Sequence, residues 1–157
     1  MKNDRFLLGI LIGIGLLVIL TVGLFFLRQE KPAYIGEDTP AGVVHNYITA
    51  VELRDYERAY TYLAERTDKP TYEVFRQAFL TQMDPQSASV QVGEAFISGQ
   101  DASVQVSLLH VNNGLFSSTW SEQMTATLVL QNGAWKLTNG PYPYWFWNWY
   151  QPVIKTP

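Results

Sequence analysis

The chain has no cysteine and only two histidines, His45 and His110. Lipid attachment through cysteine is therefore excluded. With no HxH or HExxH spacing, a zinc site has nothing to build on. Zero cysteines fits either side of a membrane and leaves the compartment open. There is no GxSxG, no phosphate loop and no GxGxxG, which argues against the commonest hydrolase and nucleotide-binding plans. Basic charge is also scarce: the net charge is −3 and no basic stripe exists, so nucleic acid is not expected as a partner. Charge of either sign thins out along the chain, and from Ala102 onward Glu122, Lys136 and Lys155 are the charged residues. The first half thus reads as helices with solvated faces, and the second as a sheet buried on at least one side.

The longest uncharged run near the start is Phe6 to Leu27, built from Leu, Ile, Val and Phe with four glycines and Thr21. At about 1.5 Å per residue it makes a helix of roughly 33 Å, enough for a bilayer core of about 30 Å. Seventeen strongly apolar side chains favour insertion by several kcal/mol, at up to about 0.3 to 0.6 kcal/mol each. A cleaved signal peptide has a shorter apolar region and a small-x-small site; here the run ends in Phe25-Phe26-Leu27-Arg28, so a retained anchor is expected. Lys2, Arg5 and the α-amine before the span, against Arg28 and Lys31 after it, bias the N-terminus to the cytoplasm. The expected layout is a cytoplasmic head at 1–5, an anchor at 6–27, a tether at 28–38 and one extracytoplasmic domain from Thr39. Gly9 and Gly13 form a small-xxx-small pair of the kind that pairs membrane helices, although glycine is common in such helices.

From Thr39 the periodicity is first helical. Thr39-Pro40 is a capping hydroxyl followed by proline at the first helical position. Val43, Val44, Tyr47, Ile48 and Val51 then share a face, with His45, Thr49 and Glu52 on the opposite, polar face. Asp55 caps a second short helix carrying Tyr56, Ala59, Tyr60 and Leu63. A third begins near Thr71 with Tyr72, Phe75, Phe79 and Met83 in one stripe, and stops at Asp84-Pro85. The period then becomes two. A strand runs from Val90 to Ile97, with a bulge expected at Gly93 that turns Glu94 outward. Ala102, Val104, Val106 and Leu108 line one face of the next strand. Asn112-Asn113-Gly114 signals a hairpin, a long strand covers Leu115 to Leu130, and Asn132-Gly133 signals the last hairpin, closed by Ala134 to Thr138. Pairing Gln131 with Ala134 sets Trp135 opposite Leu130 and Leu137 opposite Leu128.

Three helices followed by an antiparallel meander of about four strands resemble the nuclear transport factor 2-like superfamily, an α+β cone of cystatin-like type. Thr39 to Val51 and Asp55 to Leu63 look like its opening helices, Ser98 to Val104 like its first hairpin, and Asn132-Gly133-Ala134-Trp135-Lys136-Leu137 like its closing strand. The likeness spans most of residues 39–139 and looks closest to bacterial membrane-anchored members, many of unknown function. Fold alone does not select an activity. Catalytic members of the superfamily place Asp, His or Tyr inside the cone, which directs attention to polar residues on apolar faces. His110 continues the Val104–Leu108 face, and Glu122 shares parity with Trp120, Met124 and Leu128. With Tyr47 and Tyr60 from the helices, these make the cavity candidates Tyr47, Tyr60, His110, Trp120 and Glu122. A three-residue loop at 112–114 sets His110 opposite Phe116 and Glu122 opposite Val104, some 20 Å apart, too far for an acid–base pair.

Seven of the nine residues from Tyr142 to Tyr150 are aromatic. Three readings compete for this tail at 140–157: it packs on the cone or closes its mouth, it lies at the lipid headgroups, or it recognises a partner. Tyr144, Trp145, Trp147 and Trp149 are its interface or lid candidates. The resulting expectation is a membrane-anchored binding or assembly domain without catalysis, with no cofactor and no metal. A homodimer through the sheet and a protein partner at the membrane are expected. The alternative is a small apolar-ligand binder or an isomerase- or dehydratase-like enzyme using the cone.

Overall fold

The computed structural model describes residues 3–28, 32–85, 89–112 and 118–150. They fall into two compact units, divided between Pro32 and Ala33. The first is α1, Asn3–Arg28. Every residue from Leu7 to Leu24 is exposed, and the helix is long and apolar enough to cross a bilayer.

The second unit is α+β. Its helices are α2 (Pro40–Glu52), α3 (Tyr56–Thr61) and α4 (Tyr72–Thr81), and its strands are β1 (Ser89–Ser98), β2 (Asp101–Asn112), β3 (Ser118–Gln131) and β4 (Ala134–Asn139). The sheet is an antiparallel meander in the order β1-β2-β3-β4. Each helix starts at the cap its sequence supplies. Thr39 accepts from Gly42 N, Asp55 from Arg58 N and Thr71 from Val74 N. Such a cap is worth about 1 kcal/mol. The outer hairpins close as two-residue turns. Gly99 has φ +63°, and Asn132 and Gly133 have φ +51° and +80°, the paired positive values of a type I′ turn. The bulge falls at Gly93-Glu94 and leaves Glu94 exposed.

One sheet face is buried. Val104, Val106, Leu108, Ala126 and Leu137 are 0% exposed, and α2 lies against β1, β2 and β4. Burying each such Val or Leu side chain contributes about 1.5–3 kcal/mol. After α3, Leu63 bridges Leu137 in parallel, with Ala64 N donating to Leu137 O and Leu137 N to Tyr62 O, both at 2.8 Å. These bonds engage the free edge of β4. The other face of the central strands presents Ser103, Gln105, Ser107, Ser121, Gln123, Thr125 and Thr127 together with Leu109 and Val129, and Asp101 at the start of β2 is its charged residue.

Two expectations need correction. First, β2 and β3 pair from Asn112↔Ser118 onward, so the loop is 113–117, which lies outside the described residues. His110 opposes Trp120 rather than Phe116, and Glu122 opposes Leu108 rather than Val104. The shift is even, so every residue keeps its face. The observed register sets Ala126 against Val104 and Met124 against Val106, where the expected one would press a carboxylate onto fully buried Val104. Second, α2 has no wholly solvated face: Asn46 is 0% and Thr49 3% exposed, and His45 is half-buried. The covering segment comes from the expected tether, whose residues from Ala33 onward belong to the compact unit.

Candidate functional site

The tail packs into the hydrophobic core, in contact with α2 and α4. Tyr144, Trp145, Trp149 and Tyr150 are at most 8% exposed, whereas Trp147 is 75% exposed. Trp149 sits 5.0 Å from Phe75, 5.8 Å from Phe79 and 5.2 Å from Trp145, ring centre to ring centre. The sequence pattern follows from this: in an irregular segment residues of both parities can turn inward, so adjacent Tyr144 and Trp145 are both buried. Of the four tail candidates, three are core and Trp147 is surface. The Trp149 Nε1 is buried with no hydrogen-bond partner among the described residues.

Tyr47 is fully buried, and its hydroxyl donates to the Tyr144 carbonyl. Burial pushes its phenol well above the ordinary value, with Tyr150 adding to the rise. Tyr60 donates to Pro70 O at 2.8 Å and carries Lys69 Nζ 4.1 Å from its ring centre. Its phenol is raised by burial and then by Glu65 and Glu73. Tyr144 places its hydroxyl 2.8 Å from a Glu52 carboxylate oxygen and 3.0 Å from Pro85 O. Burial, followed by Glu52, raises it strongly. These phenols stay protonated near neutrality. They act as hydrogen-bond donors, not as bases, and the Tyr47 and Tyr144 hydroxyls tie the tail to α2.

At the far end of β2 and β3, past the buried Leu108, the remaining three candidates meet. His110 and Trp120 stack with ring centres 3.9 Å apart and planes 12° from parallel. His110 Nε2 lies 3.9 Å from Glu122 Oε2. The corrected register therefore brings together two residues that the expected loop held apart. The distance is that of an ion pair if the imidazole is charged, and too long for a hydrogen bond. Trp120 is 53% exposed and Glu122 is exposed, whereas His110 is half-buried and its Nε2 is buried with no hydrogen-bond partner among the described residues.

A fourth group escaped the sequence reading. The buried Asn46 amide accepts from Ile35 N and donates to Ile35 O, each at 2.8 Å, and reaches Glu37 Oε1 at 3.4 Å. Tyr62 donates to the same oxygen at 2.7 Å and Arg58 Nη2 at 2.9 Å. The Arg58 guanidinium lies 3.5 Å over the Tyr34 ring, whose hydroxyl donates to Asp55. The available signal was the residue type, an Asn beside His45 and Thr49 on α2. Outside the interior, a groove of about 380 Å³ runs between α4 and the tail, lined by Val74, Gln77, Ala78 and Phe146 among others. Among the described residues no group of three or more His, Cys, Asp or Glu is placed to hold a metal ion.

No family model and no curated protein matches the chain. Solved structures similar to it include a SEC-C motif containing protein from Rhodopseudomonas palustris, at 15% identity and TM-score 0.49, covering 68% of this chain and 80% of that one. Another is a protein of unknown function with a cystatin-like fold from Nostoc punctiforme, at 19% identity and TM-score 0.43, covering 60% of this chain and 80% of that one. A third is Rv0760c from Mycobacterium tuberculosis, solved in complex with estradiol-17beta-hemisuccinate, at 15% identity and TM-score 0.40, covering 60% and 85%.

Proposed function

We propose that this is a membrane-anchored, extracytoplasmic binding or assembly domain of the nuclear transport factor 2-like type, acting without catalysis. The observation that carries the reading is the packed tail: Tyr144, Trp145 and Trp149 are buried in the core against α2 and α4, and Tyr47 is spent on the Tyr144 carbonyl. The outward surface of β2 and β3 supports assembly. From Ser103 to Leu109 and from Ser121 to Val129 its outward side chains carry no charge, with Asp101 at the start of β2, whereas an ordinary protein surface is roughly a quarter to a third charged, and interface cores are depleted in charge. The partner favoured is a second copy of the chain through this face, with α1 crossing the membrane and its N-terminus in the cytoplasm.

Sedimentation of the full chain in detergent tests the reading, with Gln105→Glu and Gln123→Glu combined in one variant. A dimer that weakens at least about tenfold, or roughly 1.4 kcal/mol, is expected from placing like charges across a two-fold interface. A wild-type chain that stays monomeric at high micromolar concentration would sink the dimer. A second reading, ligand binding or isomerase-like chemistry, draws support from the His110–Glu122 approach at 3.9 Å. It predicts that His110→Ala or Glu122→Ala gains stability by relieving a site kept for function. Loss of stability in both counts against it.

A further inference from the structure

We infer that Tyr34–Glu37 is a clasp, a peptide ligand of the α2–α3 face carried by the chain itself, and that its docking sets how far the domain can stand from the membrane. The second half of this inference rests on the anchoring proposed above; the first half does not.

The geometry is that of peptide recognition. Asn46 is 0% exposed, and the partners of its amide all lie in the segment: both backbone polar atoms of Ile35 and the Glu37 carboxylate. A buried amide is retained only when its bonds are made, so Asn46 fits the docked segment and nothing in the helix itself. The side chain of Ile35 is 52% exposed, so the backbone is what Asn46 reads. Specificity comes from the two flanks: Tyr34 under Arg58, and Glu37 between Tyr62 and Arg58. Hydrogen bonds from Tyr62 and then Arg58 hold the Glu37 carboxyl below the usual range. Close approach is enforced by Gly42, since a Cβ there would overlap the Gly36 carbonyl oxygen. The Arg58–Glu37 pair is partly solvated, with side chains 39% and 49% exposed, so the clasp opens more readily than the core.

Docked, the domain holds the chain from Ala33 onward; released, residues 33–38 add at most about 20 Å of extended chain. The clasp therefore controls about 20 Å of reach.

Gly42→Ala evicts the segment while improving helix propensity, and the absence of cysteine allows one dye at Gln100→Cys, in the exposed turn between β1 and β2. The full chain would be placed in nanodiscs with acceptor-labelled lipid, and amide exchange read at Ile35 and, as a fold control, at Leu137. Wild type is expected to protect the Ile35 amide at least about 100-fold over free chain. Gly42→Ala is expected to lose most of that protection, keep Leu137 protected and lower energy transfer to the lipid. Should Gly42→Ala also expose Leu137, Arg58→Ala gives the same readouts from a half-exposed position. Free-chain exchange at Ile35 in wild type, or variants that leave exchange and transfer unchanged, overturns the clasp. Protected Ile35 in a chain that does not enter the disc overturns the anchoring instead.

Discussion

Trp147 and Trp149 are two residues apart in the same aromatic run and should respond oppositely to truncation. Trp149 is 4% exposed and wedged among Phe75, Phe79 and Trp145. Trp149→Ala removes a large ring from a packed interior, a loss of about 3–5 kcal/mol in transfer and cavity terms. Against a domain stability of about 5–15 kcal/mol, that is a large part of the whole. At roughly 3–6 °C per kcal/mol for a domain near 120 residues, the melting midpoint should fall by about 9–30 °C. Trp147 is 75% exposed, so Trp147→Ala should stay within about 0.5 kcal/mol of wild type. Trp149→Phe is the informative intermediate. It loses part of the ring but removes the buried Nε1 that has no partner among the described residues, relieving about 1–3 kcal/mol, so its net cost should be about 1 kcal/mol or less. The assay is denaturant unfolding of the full chain in mild detergent, followed by circular dichroism in the far ultraviolet. A movable lid gives a different pattern, because detaching it leaves the rest of the domain at full stability. If Trp149→Ala and Trp147→Ala unfold at the same denaturant concentration, the tail is not part of the core and the packed-tail argument fails.

The phenols of Tyr34, Tyr47, Tyr60, Tyr62, Tyr144 and Tyr150 are all raised, with burial as the first cause of each. A raised folded-state value favours folding below the unfolded value of about 10 and loses that contribution as pH climbs through the folded one. Stability should therefore decline above about pH 10, and these tyrosines should ionise together with unfolding in an ultraviolet titration; ordinary ionisation of all nine tyrosines in a folded chain would contradict it. His110→Ala should cost about 0.5–1.5 kcal/mol for the lost stack and make Trp120 more accessible to acrylamide. Unchanged quenching would mean that the two rings do not stack in solution.

The parts of the fold legible in the sequence are those decided within a few residues. Thr39, Asp55 and Thr71 are caps because each has a side-chain oxygen three residues before an amide that needs it. Asn132-Gly133 closes a hairpin because both positions accept positive φ. Gly93 marks the bulge, and with it the outward turn of Glu94. The β2–β3 register was not legible, because Asn112-Asn113-Gly114 names a turn-forming composition without giving the loop length. Alternation is blind to a shift of an even number of residues, so the faces were right while the opposing pairs were wrong. What fixes the register is burial: Val104 has room for Ala126 and none for a carboxylate.

The same blindness decided the site. His110 and Glu122 were both identified as polar residues on the apolar face, yet whether they meet depends on the register alone, and the observed pairing brings them to 3.9 Å. Asn46 failed in another way. On a helical wheel a polar residue beside a solvated face looks the same whether it meets water or a docked backbone, and the covering segment carries no periodicity to announce it. The residue type held a clue, since Asn offers a donor and an acceptor on one planar group, matched to the N–H and C=O of a single extended residue. Asn46→Asp keeps the acceptor and turns the donor into a second acceptor facing Ile35 O and Glu37. That variant should lose the Ile35 contact at neutral pH and recover part of it in acid, once a proton is shared between the carboxylates. If the Asn46→Asp variant protects the Ile35 amide at neutral pH as well as wild type does, packing and not the amide holds the segment.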